Sequence, residues 1–359
     1  MNSSAWNSHR GHSDPQERLR HAAAKGRLAH TWLFSGPPGV GKKRAALTLA
    51  RCLLCTAHAE ADLEACGICH GCIQAAARSH PDLVVVELPE GKREHPLESF
   101  IGAPDERGRA GLCHALSLKP MMGRRKIAVI DDADALNVEG ANALLKTLEE
   151  PPPESLLILV AANPDALPST IRSRCQVLRF NPLAAADVEF VLLQEGIAET
   201  AAAAAEAAAL AQGSLAIAAQ MLDPWLRQHR GELFKLLAAE RFSSTKLAGH
   251  LLAGLENSGS ESFAQRRYAG WVIQFCVEFF RQALLELMQV GGNAPVAIAE
   301  ARQFAARRPQ PASDAVEHLG DILDRLLLAE IQIGGMATTP LCLEALCEDI
   351  GQILRSGAK

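Results

Sequence analysis

Between residues 28 and 180, short apolar runs recur, each separated from the next by a stretch with helical spacing. The runs are 31–35 (Thr-Trp-Leu-Phe-Ser), 83–88 (Leu-Val-Val-Val-Glu-Leu), 126–130 (Lys-Ile-Ala-Val-Ile), 156–161 (Leu-Leu-Ile-Leu-Val-Ala) and 176–180 (Gln-Val-Leu-Arg-Phe). A strand with one wet face alternates apolar and polar positions. Most of these runs do not, so both faces of their sheet are predicted to be covered. Continuous strands separated by helices predict an α/β domain with a parallel five-stranded sheet, and ligand at the carboxyl ends of the strands. After Pro182 the strand-like runs cease. Residues 198–211 are almost all alanine, which favours helix; Gly213 stops that helix and another begins after Ser214. Helical patterning continues from Asp223 to the end, with breaks near 256–260 and 291–295.

With 359 residues, 48% of them hydrophobic, the chain outgrows a single core, and two or three domains are expected. The formal charge of −5 is not that of a strongly basic nucleic-acid binder. The first residues lack the apolar stretch of a signal peptide. The longest clean apolar run, Leu156 to Ala162, is too short to span a bilayer. A cytoplasmic protein without membrane contact is expected, and its ten cysteines should then be reduced.

Gly36-Pro37-Pro38-Gly39-Val40-Gly41-Lys42-Lys43 follows the first predicted strand and opens a helix over 44–54. That is the context of a phosphate-binding P-loop. Its glycines let backbone N–H groups turn onto phosphate oxygens, and Lys42 neutralises their charge. A Ser or Thr hydroxyl normally follows the lysine and holds Mg²⁺. Here a second cation, Lys43, stands in its place. Asp131, at the end of the third strand, lies where a carboxylate would hold the metal. Asp132 is shorter than the glutamate that would polarise water, and misplacement on the order of 1 Å can cost about 10²-fold in rate. The blander reading makes these aspartates helix-capping acids. The loop is predicted not to support hydrolysis, and the sequence leaves open whether it binds ATP.

Cys55, Cys66, Cys69 and Cys72 are spaced C-x10-C-x2-C-x2-C. Thiolates two residues apart can turn onto one ion, and four of them satisfy tetrahedral zinc without an open position. A structural zinc knuckle over 55–72 is expected, with Gly67 and Gly71 permitting tight turns. His70 is a spare donor, and Cys52 is read as a packed core thiol.

Three stretches carry a family resemblance. Ala141-Asn142-Ala143-Leu144-Leu145-Lys146-Thr147-Leu148-Glu149-Glu150-Pro151-Pro152, Ser173-Arg174-Cys175 and the cysteine knuckle after the P-loop helix resemble the AAA+ clamp-loader subunits of bacterial DNA polymerase III. The resemblance implies an AAA+ domain over 1–182, a helical lid over 183–222 and a helical collar over 223–359 that joins a five-subunit ring. It also implies that Arg174 reaches into a neighbouring subunit's ATP site as an arginine finger. The implied partners are gamma/tau motor subunits and a delta subunit, with the sliding clamp and primed DNA reached through the complex.

Within that family the departures decide. A gamma/tau-type motor is expected to have Thr or Ser at 43, Glu at 132 and an arginine after Gly213-Ser214. This chain has Lys43, Asp132 and Ala216, which fits the delta-prime type, a largely non-hydrolysing stator within the polymerase holoenzyme. Two alternatives stay open: an active gamma/tau-type ATPase, and a zinc-bearing DNA-binding module. The latter is disfavoured by the near-neutral charge and the lack of a long basic, aromatic stretch.

Overall fold

A computed structural model of the chain describes residues 5–6, 9–259, 262–289, 298–308, 313–335 and 337–356. The expected break at 291–295 lies outside the described residues. The chain divides into two compact units, 1–219 and 220–359.

The first unit runs α1 (Ser13–Ala24), β1 (Thr31–Ser35), α2 (Lys42–Leu53), α3 (His70–Ala76), β2 (Leu83–Val86), α4 (Glu98–Ile101), α5 (Gly111–Ser117), β3 (Lys126–Ile130), α6 (Val138–Glu149), β4 (Ser155–Ala161), α7 (Ser169–Arg172) and β5 (Gln176–Arg179). Three further helices, α8 (Ala185–Gln194), α9 (Ala201–Leu210) and α10 (Leu215–Met221), follow. The five strands form one parallel sheet in the order β2-β3-β4-β1-β5, as the strand–helix alternation predicts.

The unbroken apolar runs divide their side chains between two layers. Trp32, Phe34, Ile127, Val129, Leu156, Ile158 and Val160 pack with α1, α2 and α3. Leu33, Ala128, Ile130, Leu157, Leu159 and Ala161 pack with α4, α5, α6 and α7. Burial on both faces explains why these strands lack alternation. β5 is the exception: it lies at the sheet edge, and Gln176 and Arg179 are exposed.

Several boundaries differ from expectation. The 83–88 run ends as a strand at Val86, because Glu87 leaves the ladder for ion pairs with Lys43 and Arg78. The 156–161 run gains Ser155, and the 176–180 run ends at Arg179. The P-loop helix begins two residues early, at Lys42, and ends at Leu53. The alanine-rich helix α9 is capped by Thr200, whose hydroxyl accepts the Ala203 N–H at 3.2 Å.

The second unit is helical: α11 (Pro224–Leu237), α12 (Ser244–Asn257), α13 (Ser262–Leu287), α14 (Ala299–Ala306), α15 (Ser313–Gly334) and α16 (Thr339–Ser356). Phe279, Phe280 and Phe304 form an edge-to-face aromatic centre. The expected packing helix at 341–354 lies within α16, whose Leu343, Leu346, Cys347 and Ile350 are buried. Two of its three acids are tied down: Glu348 accepts the Ser244 hydroxyl, and Asp349 pairs with Arg325 at 2.6 Å. Among the described residues no helix is long and apolar enough to cross a membrane.

Candidate nucleotide and metal sites

The phosphate loop turns out of β1 into α2 with left-handed backbone at Gly39 and Gly41. At Gly39 a side chain has no room: a Cβ there would lie 2.0 Å from the Ser214 hydroxyl oxygen and 2.9 Å from the Ala216 methyl. The Leu215 N–H also donates to the Gly39 carbonyl at 2.8 Å. The turn into α10 thus packs on the rim of the loop, and it presents Ala216 where the resemblance expects an arginine. Gly36 has a positive φ as well and runs against the Phe180 carbonyl.

Lys42 is almost fully buried. Its ammonium donates to the loop's own carbonyls, Gly36 O at 2.6 Å and Pro37 O at 2.7 Å. Burial lowers its pKa against the opposing pull of Asp134, Asp131 and Asp132. Lys43 follows it in the first turn of α2 and reaches the carboxyl edge of the sheet. Its Nζ lies 2.7 Å from Asp131 Oδ2 and 2.7 Å from Glu87 Oε1. Partial burial alone would lower the Lys43 pKa, but the two carboxylates raise it. These carboxylates are neighbours because Val86 and Ile130 pair in register at the ends of β2 and β3.

The predicted site residues Lys42, Lys43 and Asp131 therefore converge. Asp132 differs: it adopts a left-handed backbone, with φ of 46°, which is uncommon for a non-glycine residue. Burial, then Asp131 and Asp134, raise its pKa, the direction expected for a carboxyl without a cation of its own.

Three further residues lie outside the sequence motifs, Glu87 and His95 at this edge and Asp82 at the opposite, amino end of the sheet. Glu87 had one visible signal, a charge inside an apolar run. Buried His95 clamps the turn after β3, its Nε2 donating to the carbonyls of Asp131 (2.9 Å) and Asp132 (3.1 Å). Asp82, fully buried ahead of β2, accepts the N–H groups of Met121 (2.7 Å), Met122 (2.8 Å) and Gly123 (2.7 Å) and pairs with Lys126. Burial alone would raise its carboxyl, yet these donors hold it down at about 2. Neither His95 nor Asp82 carries a local spacing that would flag it.

At the other end of α2 the four predicted cysteines meet. Their sulfurs all lie within 4.8 Å of one another, with Cys66 to Cys72 at 4.0 Å and Cys55 to Cys69 at 3.9 Å. A zinc–sulfur bond of about 2.3 Å places tetrahedral sulfurs about 3.8 Å apart, so the donor set fits such an ion. Backbone N–H groups of Cys66, Cys69 and Cys72 point at the sulfurs of Cys55, Cys66 and Cys69, at 3.3–3.5 Å. These contacts favour thiolate sulfurs. Gly67 makes a left-handed turn as expected, but Gly71 does not. Gly71 lies inside α3, and a Cβ on it would sit 2.2 Å from the Leu54 carbonyl; it is needed for close approach and not for a turn. His70 is not among the four donors. Cys52 is a buried core thiol, its pKa pushed up by burial to about 12.

Arg174 follows α7 and is exposed. It donates to Thr170 O at 2.9 Å and to Glu149 Oε1 at 2.7 Å. The two resembling segments, around Glu149 and around Arg174, are thus joined by an ion pair.

Residues 11–184 match the family described as DNA polymerase III, delta subunit. The DNA polymerase III subunit delta' of Pseudomonas aeruginosa is 34% identical over 61% of this chain and 65% of its own length. That of Bacillus subtilis is 34% identical over half of each chain. The DNA polymerase III subunit tau of Escherichia coli is 33% identical over 60% of this chain and 32% of its own. The chain thus spans less than two thirds of the length of each of these relatives. Identity does not separate the delta' and tau types. Over residues 11–184, just under half of the chain, the sequence is thus similar to the DNA polymerase III delta-subunit family.

Proposed function

We propose that this chain is the delta-prime subunit of a clamp loader: a stator that turns over no ATP of its own and offers Arg174 to the ATP site of a gamma/tau neighbour during loading of the sliding clamp on primed DNA. The observation that carries this reading is the Lys43 ion pair with Asp131 at 2.7 Å. It ties up the carboxylate a motor would use for its metal. Lys43, Asp132 and Ala216 alter three separate parts of the hydrolytic machinery, while Arg174 stays at the surface.

The division into an AAA+ domain (1–182), a lid (183–222) and a collar (223–359) belongs to the same proposal, with a delta subunit as a further partner. Exposed Leu327, Leu328 and Ile331, within about one turn of each other on α15, support a collar that packs against other subunits, since apolar groups gathered at a surface mark interaction sites. The cysteine set is proposed to hold one structural zinc ion.

The test is a complex reconstituted with Arg174→Ala beside a wild-type control. An arginine offered in trans can be worth about 10³–10⁵ in phosphoryl-transfer rate. One site among several would lose that rate, so DNA-stimulated ATPase should fall in part and clamp loading further. Unchanged ATPase and loading, with the variant incorporated, would remove the finger role.

A further inference from the structure

We propose that the Lys43 ammonium is a built-in replacement for the divalent cation, so that this P-loop takes the phosphates of a nucleotide in metal-free form. A P-loop that uses Mg²⁺ gives it a hydroxyl from the residue after the lysine and a carboxylate from a strand end. Magnesium demands near-octahedral oxygen ligands at about 2.0–2.1 Å. Lys43 provides no acceptor, and its Nζ already lies 2.7 Å from the Asp131 carboxylate oxygen. An ion on Asp131 would have to expel the ammonium or sit against a like charge. The residues do not fit the metal.

They do fit an anion. An ammonium carries three donors. Asp131 and Glu87 take two, which leaves one for a phosphate oxygen. Lys42 is buried and holds only carbonyls of the loop itself, Gly36 O and Pro37 O, partners that a phosphate can replace with a full charge. Helix α2 has Gly41 as its N-cap residue, with no side-chain cap and no acid in its first turn, so its first N–H groups face no carboxylate of their own helix. Arg78, paired with the same Glu87, keeps that carboxylate from acting as a free negative charge beside the loop.

The experiment is calorimetric titration of the full chain with ATP, in resin-stripped buffer and again with millimolar Mg²⁺. Chelators are left out because they would attack the cysteine site. The expected result is the same affinity in both buffers. Lys43→Thr, which restores the usual metal ligand, should lose about tenfold or more in stripped buffer, the ordinary worth of one charged hydrogen bond, and recover with Mg²⁺. Lys43→Arg should keep metal-free binding, which separates loss of charge from damage to the fold. Wild-type binding only in Mg²⁺, no binding in either buffer, or undiminished metal-free binding by Lys43→Thr would each overturn the proposal. Absence of binding would leave the stator reading standing, whereas Mg²⁺-dependent binding with turnover would sink both.

Discussion

Helix α2 carries a candidate site at each end, and the two have fared differently. At its start the phosphate loop keeps its backbone and its buried lysine, but a second lysine lies on the strand-end carboxylate of Asp131. Just past its end, Cys55 opens a set of four sulfurs with all its members in place. One site is a donor set gathered within 55–72. The other is assembled from α2, the end of β2 and the end of β3. Loss of a single ligand would open a four-sulfur ion site, because a tetrahedral ion needs all four donors, even though Trp6 and Arg125 also hold the loop at Leu63 and Glu60. The phosphate loop is fixed by the strand–helix joint, so its chemistry can change while its shape stays.

The largest expected effect follows from that asymmetry. Structural zinc contributes on the order of 10 kcal/mol of folding free energy. Cys69→Ser should therefore abolish stoichiometric zinc and unfold 55–76 locally, leaving the sheet intact. Elemental analysis and hydrogen exchange would read this. Protein purified without chelator yet carrying no zinc would break the comparison at its firmer end.

The next effect concerns a carboxylate held without a metal. Asp82 is fully buried on three backbone N–H groups and Lys126. Breaking such an arrangement costs about 3 kcal/mol or more, so Asp82→Ala should lower the urea midpoint sharply. Because the folded carboxyl is held at about 2, below its ordinary 3.8, its contribution is present above pH 3.8 and lost as pH falls towards 2. Over that window the wild-type midpoint should fall more steeply than that of the variant. Parallel curves would remove Asp82 from the acid response.

These residues also mark what the sequence makes legible. The five strands, the P-loop and the four cysteines are readable because each is a local pattern: a run, a motif or a spacing. Lys43 is visible as a departure and Glu87 as a charge inside an apolar run, but their pairing is not, since Glu87 and Asp131 come together only through the register of β2 on β3. His95 and Asp82 organise turns far from themselves in sequence and leave no local trace. Strand ends failed for the same reason: Glu87 leaves the ladder for partners on α2 and beside α3.

At the phosphate end the isolated chain should show no ATP turnover near the ordinary enzyme range of about 1 s⁻¹. Lys43→Thr alone should not restore it, because Asp132 stays turned by its left-handed backbone and Ala216 still faces the loop. A steady-state ATPase assay with and without Mg²⁺ is decisive. Turnover in that range would make the chain a motor and would close the gap between the two ends of α2.

The smallest effect belongs to Arg174. Its partner Glu149 is half exposed, and the arginine side chain itself is 35% exposed. Ion pairs so open to water contribute about 0–1 kcal/mol. Arg174→Ala should therefore change the unfolding free energy of the isolated chain, measured in urea, by no more than that, and Glu149→Gln likewise. A weak pair is what a finger needs, since Arg174 must leave Glu149 before it can meet a phosphate on another chain. Glu149→Gln should thus leave ring assembly intact and leave the complex's ATPase equal or slightly raised, because the arginine no longer has to break a charged contact. A loss of unfolding free energy on the order of 3 kcal/mol in either variant would instead make the Arg174–Glu149 pair a structural clasp between α6 and the segment after α7, which a finger could not leave at so small a cost.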